Sequence, residues 1–334
     1  MTAVRTRIMT ATLVALAATF AAPLAAQTTW QSQSLDLGYA VSTVRADAQR
    51  NRLYVSAPLS NRVFEIDPVS MTVLRKLYVG FHPDGIELAS DGHTLYAALN
   101  GAGAVGVYDL DTDQQSELDI SVLLGTSYAK VVTEARPGLL FVAAQNFVRI
   151  DLATLAATQI YSPYDITQFG KDPAGNVLYV GSASNAVFKF DITQASAPMV
   201  YQSPQYLYGV DRGIDVSADG NRLVLGSGEV IRANELTENG TVGYGAAMFS
   251  ADDTQIISAT GAYPIVLKRF DGTTLDLIES IPTQCSFSAP GSGIPSLTPK
   301  AMQALPYNQG WVILGDTTVC VVRLPDELFA NGFE

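Results

Sequence analysis

The chain repeats itself, and that constrains its fold more than any single residue does. A turn rich in Asp or Gly, an apolar strand, a short gap and a second strand closing on Asp recur seven times. The first strand reads Asn51-Arg52-Leu53-Tyr54-Val55-Ser56-Ala57, then His93-Thr94-Leu95-Tyr96-Ala97-Ala98-Leu99, then Gly138-Leu139-Leu140-Phe141-Val142-Ala143-Ala144. It continues as Asn176-Val177-Leu178-Tyr179-Val180-Gly181-Ser182 and Asn221-Arg222-Leu223-Val224-Leu225-Gly226-Ser227, with weaker copies around Ile256-Ile257-Ser258 and Trp311-Val312-Ile313-Leu314. Taking Leu53, Leu95, Leu140, Leu178, Leu223, Ile256 and Val312 as equivalent, the spacing averages about 43 residues, the period of a four-stranded propeller blade.

The second strands carry a matching signature. They appear as Val63-Phe64-Glu65-Ile66-Asp67, Val105-Gly106-Val107-Tyr108-Asp109, Phe147-Val148-Arg149-Ile150-Asp151 and Val187-Phe188-Lys189-Phe190-Asp191, with echoes ending at Asn234 and Asp271. Short β-branched or aromatic runs bounded by Gly, Asn, Asp and Pro are strand chemistry. A β-sandwich would also use such strands but would not require self-similarity. The expected fold class is all-β, a seven-bladed β-propeller.

Val79-Gly80-Phe81-His82-Pro83-Asp84-Gly85-Ile86, Ser90-Asp91-Gly92, Leu95-Tyr96-Ala97-Ala98 and Val105-Gly106-Val107-Tyr108-Asp109 together resemble the YVTN-type β-propeller repeat. The likeness covers blade two almost completely and is good at Pro173 to Asp191 and at Asp211-Arg212-Gly213-Ile214 to Leu225. It implies a propeller in which Asp-Gly tightens the first hairpin and Leu-Tyr-Val buries alternate residues between blades. Such propellers host many unrelated roles, so the resemblance implies a fold rather than an activity.

Met1 to Ala26 has a basic start at Arg5 and Arg7, an apolar run from Ile8 to Ala22 and a small-residue exit at Leu24-Ala25-Ala26. It reads as a secretory signal peptide cut before Gln27, with no membrane span and a secreted or periplasmic product. Its removal takes two Arg and no acids, moving the net charge from −12 to −14. A chain this acidic should repel nucleic acid and anionic membranes.

The ends suggest how the ring closes. Trp30 to Leu37 alternates like a strand ahead of the first repeat, whereas the last repeat, from about Lys300 to Pro325, has room for three strands. The N-terminal strand is therefore expected to complete the last blade of a single domain over 27–325, leaving 326–334 as a tail and the protein a monomer. Cys285, in the Pro/Ser/Gly-rich stretch from Thr283 to Pro299, and Cys320, in the final blade, are expected to form a disulfide in an oxidising compartment. Closing a loop of about 35 residues would contribute roughly 3–4 kcal/mol.

Catalytic signatures are thin. The two histidines, His82 and His93, fall at opposite ends of one expected blade, and no His/Cys cluster of metal-site spacing is visible. There is no Gly-x-Ser-x-Gly elbow and no phosphate-binding Gly loop. Asp109-Leu110-Asp111-Thr112-Asp113 lacks the Gly and the Glu of an EF-hand and reads as a solvated hairpin turn. No cofactor and no metal are called for.

One constellation points to binding. An aromatic residue precedes the expected inner strand in six blades, at Tyr39, Phe81, Tyr128, Tyr164, Tyr208 and Tyr244. Near these lie His82, Asp84, Lys130, Asp165, Asp211, Arg212 and Lys300. Tyrosines with a few charges suit a peptide, a sugar or a planar ligand at the channel mouth. The reading preferred from sequence is plainer: the rings are wedges packed between blades, recurring because the repeat does.

The ending Leu328-Phe329-Ala330-Asn331-Gly332-Phe333-Glu334 resembles a short Phe-x-x-Gly-Phe-Glu terminus found on various exported bacterial proteins, and reads equally as a frayed tail. The leading expectation is a non-enzymatic binding or scaffolding module whose partner is a protein, a peptide or a small molecule. Two alternatives stand beside it. One is a lactonase-like hydrolase with a metal or a carboxylate site at the central channel, where Asp84, Asp165 and Asp211 would converge, and the other a subunit docking on a redox partner, as some quinoprotein propellers do.

Overall fold

The computed structural model describes residues 30–323 except 127, 145, 161–164, 211, 262–263 and 288–298. The expected signal peptide, the C-terminal ending, Tyr164 and Asp211 lie outside the described residues. Seven antiparallel sheets of four strands make seven blades. Their inner strands are Val44–Asp47, Pro83–Leu88, Val131–Arg136, Ile166–Lys171, Ile214–Val216, Ala246–Phe249 and Ala301–Ala304. Each inner strand packs against the next, and the last against the first, so the ring is closed around a central channel.

Each blade-to-blade seam has its own core. The second strand of blade 1 sends Leu53, Val55 and Ala57 toward blade 7, where they meet Val312, Leu314 and Val319. It sends Tyr54 the other way, against Ile86, Leu95 and Ala97 of blade 2. Seven buried clusters result, one per seam, with no common centre. The period-2 alternation of a strand is what allows one strand to serve two seams.

The Asp that closes each repeat has a local task. Asp67 accepts backbone N–H bonds from Val69 and Ser70 at 2.7 and 3.3 Å, and Asp109 from Asp111 and Thr112 at 2.9 Å each. Asp151 and Asp271 do the same for Ala153, Thr154, Thr273 and Thr274. The residue four places after each Asp (Met71, Asp113, Leu155 and Leu275) takes a positive φ, which turns the chain into the fourth strand. These are Asx turns, and a carboxylate satisfies N–H groups that the hairpin leaves unpaired.

The glycine of the Pro-x-Gly stretch also has a mechanical reason. Gly85 N–H donates to the Lys130 carbonyl at 2.8 Å across the blade 2–3 seam, and a Cβ at position 85 would sit 2.6 Å from that oxygen. Only a residue without a side chain lets the two inner strands approach so closely.

Closure follows the expected route. Gln31–Asp36 pairs antiparallel with Thr318–Arg323, in register from Gln31 opposite Arg323 to Asp36 opposite Thr318. Leu37 and Val41 add backbone bonds to Thr317 and Asp316. Trp30 stacks on Trp311 with centroids 5.3 Å apart. Cys285 is bonded to Cys320, tying the exit of blade 6 to the third strand of blade 7. Both cysteines are fully buried. Among the described residues no helix is long and apolar enough to cross a membrane.

Candidate functional site at the upper channel mouth

Because strands alternate in direction, the end where the inner strands begin also collects the loops between blades and those between second and third strands. We call it the upper face; the Asp-capped hairpins form the lower one. Exposed large apolar side chains divide unevenly between the two. Tyr39, Leu59, Tyr78, Phe81, Val122, Tyr206, Tyr208 and Tyr244 lie on the upper face, against Val69, Leu155 and Tyr307 on the lower, while Leu74, Met199, Val200, Tyr201, Leu277 and Ile278 lie along the outer fourth strands. Tyr39, Phe81, Tyr208 and Tyr244 are 45–60% exposed, so they are not the buried wedges preferred from sequence. Exposed aromatic surface concentrated on one face is a mark of interaction rather than of packing.

The channel holds about 850 Å³. Of the residues singled out from sequence, Asp84, Lys130, Arg212 and Lys300 line it. A side cleft of about 550 Å³ opens at the upper end of blade 5, lined by Tyr208, Arg212, Tyr244, Glu229 and Glu238 among others. Arg212 belongs to both, with its guanidinium 4.9 Å from the Tyr244 ring centre. Tyr206 stands edge-on to Tyr208 at 5.3 Å and extends the aromatic wall. Tyr39, His82, Tyr128 and Asp165 sit on the upper face outside the lining of channel and cleft. Lys130 lies 5.5 Å from the Tyr128 ring centre. His82 takes a positive φ, and its backbone N–H donates to Asn61 Oδ1 at 2.9 Å.

The mouth is laced by polar ties. Asp84 accepts from the Ser42 hydroxyl through Oδ1 and from Asn100 Nδ2 through Oδ2 at 3.0 Å, so both its oxygens are engaged. Its backbone carbonyl takes the Ser56 hydroxyl at 2.6 Å. Lys300 pairs with Asp316 at 3.0 Å and donates to the Val41 carbonyl at 3.3 Å, bracing the closing seam. Thr167 donates to the Val210 carbonyl at 3.3 Å across the blade 4–5 seam.

Deeper in the channel lies a group that sequence reasoning missed. Glu87, almost fully buried, meets Arg45 of blade 1 at 2.7 Å and Lys171 of blade 4 at 2.6 Å. Lys171 reaches past blade 3 to do so, and the three residues bridge the lower channel. Burial opposes ionisation of Glu87, yet the two cations outweigh it and hold its pKa below the ordinary carboxylate range. Asp215 is the opposite case. Burial pushes its pKa up to about 6, although it accepts the Phe249 N–H at 2.7 Å. In the side cleft, burial raises Glu229 above its usual value and nearby Glu238 adds to the rise, while the Tyr208 N–H offsets part of it. A faint signal marked the channel wall in the sequence: a single charge between apolar neighbours in an inner strand, as in Val44-Arg45-Ala46, Ile86-Glu87-Leu88 and Ile214-Asp215-Val216.

Asp84 and Asp165 both lie at the upper end, but only Asp84 faces the channel. Asp211, the third carboxylate of the hydrolase alternative, is outside the described residues. Among the described residues, no three His, Cys, Asp or Glu side chains gather in a way that could hold a metal ion. Asp109 to Asp113 forms the hairpin turn expected of it, with Asp111 held by Arg50 and His93 and Asp113 by Arg75. No protein-family model and no curated protein matches this chain.

Proposed function

We propose that the protein is an exported, non-enzymatic binding propeller of the YVTN-like type that receives its partner at the upper channel mouth. The observation that carries this reading is the concentration of exposed tyrosines and channel cations on the upper face, set against a lower face of self-satisfied Asp turns. The aromatic rings supply flat contact area at small entropic cost, and the channel supplies polar groups that orient what enters. A buried disulfide fits an oxidising compartment and supports export.

The test compares binding with stability. A ligand found by thermal-shift screening of peptides, saccharides and organic acids should lose affinity when Tyr128 or Arg212 is replaced by alanine, with the melting temperature of the free protein nearly unchanged. A large fall in stability from Tyr128→Ala, with ligand affinity preserved, would return that ring to a packing role and reject the reading.

A further inference from the structure

We propose that the ligand of this channel is a small multivalent anion, a molecule presenting two or more carboxylate or phosphoryl oxygens. The inference rests on the proposal that the upper mouth is the binding site and names the chemistry the site accepts. The chain as a whole carries 20 Lys and Arg against 32 Asp and Glu. The channel lining reverses that ratio among the described residues, with five cations (Arg45, Lys130, Lys171, Arg212, Lys300) against three carboxylates (Asp84, Glu87, Asp215). Half of the six lysines in the sequence face this one cavity.

The three carboxylates are met from within the protein. Glu87 is held by Arg45 and Lys171, Asp84 takes Ser42 and Asn100, and Asp215 takes the Phe249 N–H. Lys130 forms no ion pair among the described residues; its ammonium group rests near the Tyr128 ring. Lys130, Arg212 and Lys300, the last paired with Asp316 at 3.0 Å, come from the upper ends of blades 3, 5 and 7, so cationic groups are distributed around the mouth instead of gathered on one wall. Low-dielectric walls concentrate the field of such charges. A volume of about 850 Å³ is that of a small-molecule site, and the Arg45–Glu87–Lys171 bridge stands across its lower part. An anionic group entering from above meets Lys130 and Arg212 before that bridge.

Isothermal titration of the full chain at low ionic strength, with citrate and with inorganic phosphate as probes, tests the proposal. The two arms separate a carboxylate site from a phosphoryl site. At least one probe should bind one-to-one with a Kd of about 1 mM or tighter, the weak end of metabolite affinities. Lys130→Ala and Arg212→Ala should each weaken it about tenfold, one lost charge contact apiece. Arg212→Lys, which keeps the charge, should retain most of the affinity, and Lys268→Ala in the third strand of blade 6 should leave it unchanged. Absence of binding by both probes at about 10 mM, ten times that limit, would overturn the anion assignment, as would wild-type affinity in both the Lys130→Ala and the Arg212→Ala proteins. Titration of neutral saccharides and cationic peptides then separates the two levels. Binding that Tyr208→Ala abolishes would keep the upper-face reading while the anion assignment falls; no binding by any class would reject both.

Discussion

The lower and upper faces are built from the same seven repeats, yet they differ in kind. Below, the third strands of five blades end on an Asp (Asp67, Asp109, Asp151, Asp191, Asp271) that accepts N–H bonds from its own turn, and charges left over pair locally, as in Arg50 with Asp47 and Asp111. Above, loop lengths vary, tyrosines stand in solvent, and Lys130, which forms no ion pair among the described residues, faces a cavity. The contrast teaches which repetition is structural. A residue that recurs because a turn needs it is satisfied within that turn; one that recurs without an internal partner is available to something else.

Substitutions should separate the two faces, and the largest effect is expected in the channel beneath them. Glu87→Gln removes the buried counter-charge of Arg45 and Lys171, whose own side chains are partly exposed, and urea denaturation should show a loss of about 2–3 kcal/mol, two charge-assisted contacts partly screened by solvent. Because folding lowers the pKa of Glu87, its contribution is present above the ordinary carboxylate range and fades as pH falls through the depressed value. The gap between wild type and Glu87→Gln should therefore close in strong acid; a gap constant down to pH 2 would discredit the bridge.

Next comes the lower face. Asp47 is buried and accepts from Gln49 N, Arg50 N and Arg50 Nη1 at 2.8, 3.1 and 3.1 Å. Asp47→Ala should cost about 2 kcal/mol by stranding those donors. A neutral outcome would mean that the Asp turns are ornament and would collapse the contrast between faces.

Asp215 should behave in the reverse sense. Its pKa is raised to about 6, so the fold favours the protonated acid: its contribution is complete below the ordinary carboxylate value and is lost as pH climbs through about 6. Asp215→Asn, which keeps an acceptor for the Phe249 N–H, should be more stable than wild type by about 1–2 kcal/mol at pH 8 and no more stable at pH 4. Equal stability gains at both values would contradict the burial argument.

The smallest effect belongs to the upper face. Tyr208→Ala and Tyr244→Ala should each change stability by less than about 0.5 kcal/mol, as expected of exposed side chains away from any cap or core. A loss of 2 kcal/mol or more at either would make these rings structural and restore the wedge reading.

The fold was legible because its determinants are local and repeated. The Leu53–Tyr54–Val55 alternation, the turn-forming Asp67 and the lone strand from Trp30 to Leu37 each state their role within a few residues. The pairing of Cys285 with Cys320 needed only two cysteines and the closing-blade argument. The site was legible in part. Asp84, Lys130, Arg212 and Lys300 were picked out by position before an inner strand, and they do share a channel. The Arg45–Glu87–Lys171 bridge was not, because it joins blades that no local pattern relates: blade 4 reaches blade 2 across blade 3. The side cleft was half visible, since Tyr208 and Tyr244 stood out but Glu229 and Glu238 belong to outer positions of blade 5 whose direction is set by the assembled ring. At Tyr39, Phe81, Tyr208 and Tyr244 the preference for wedges failed for a physical reason. The rings precede the inner strands in loops above the seams, where the buried seam positions are already filled by the strands' own Leu, Val and Ile side chains.

The most direct test of the account is a paired measurement on one variant, Arg212→Ala: its melting curve and its citrate and phosphate titrations beside those of the wild-type chain. The account predicts coincident melting curves and anion affinity lower by about tenfold. A lowered melting temperature with unaltered affinity would contradict it, and would make the upper mouth part of the scaffold.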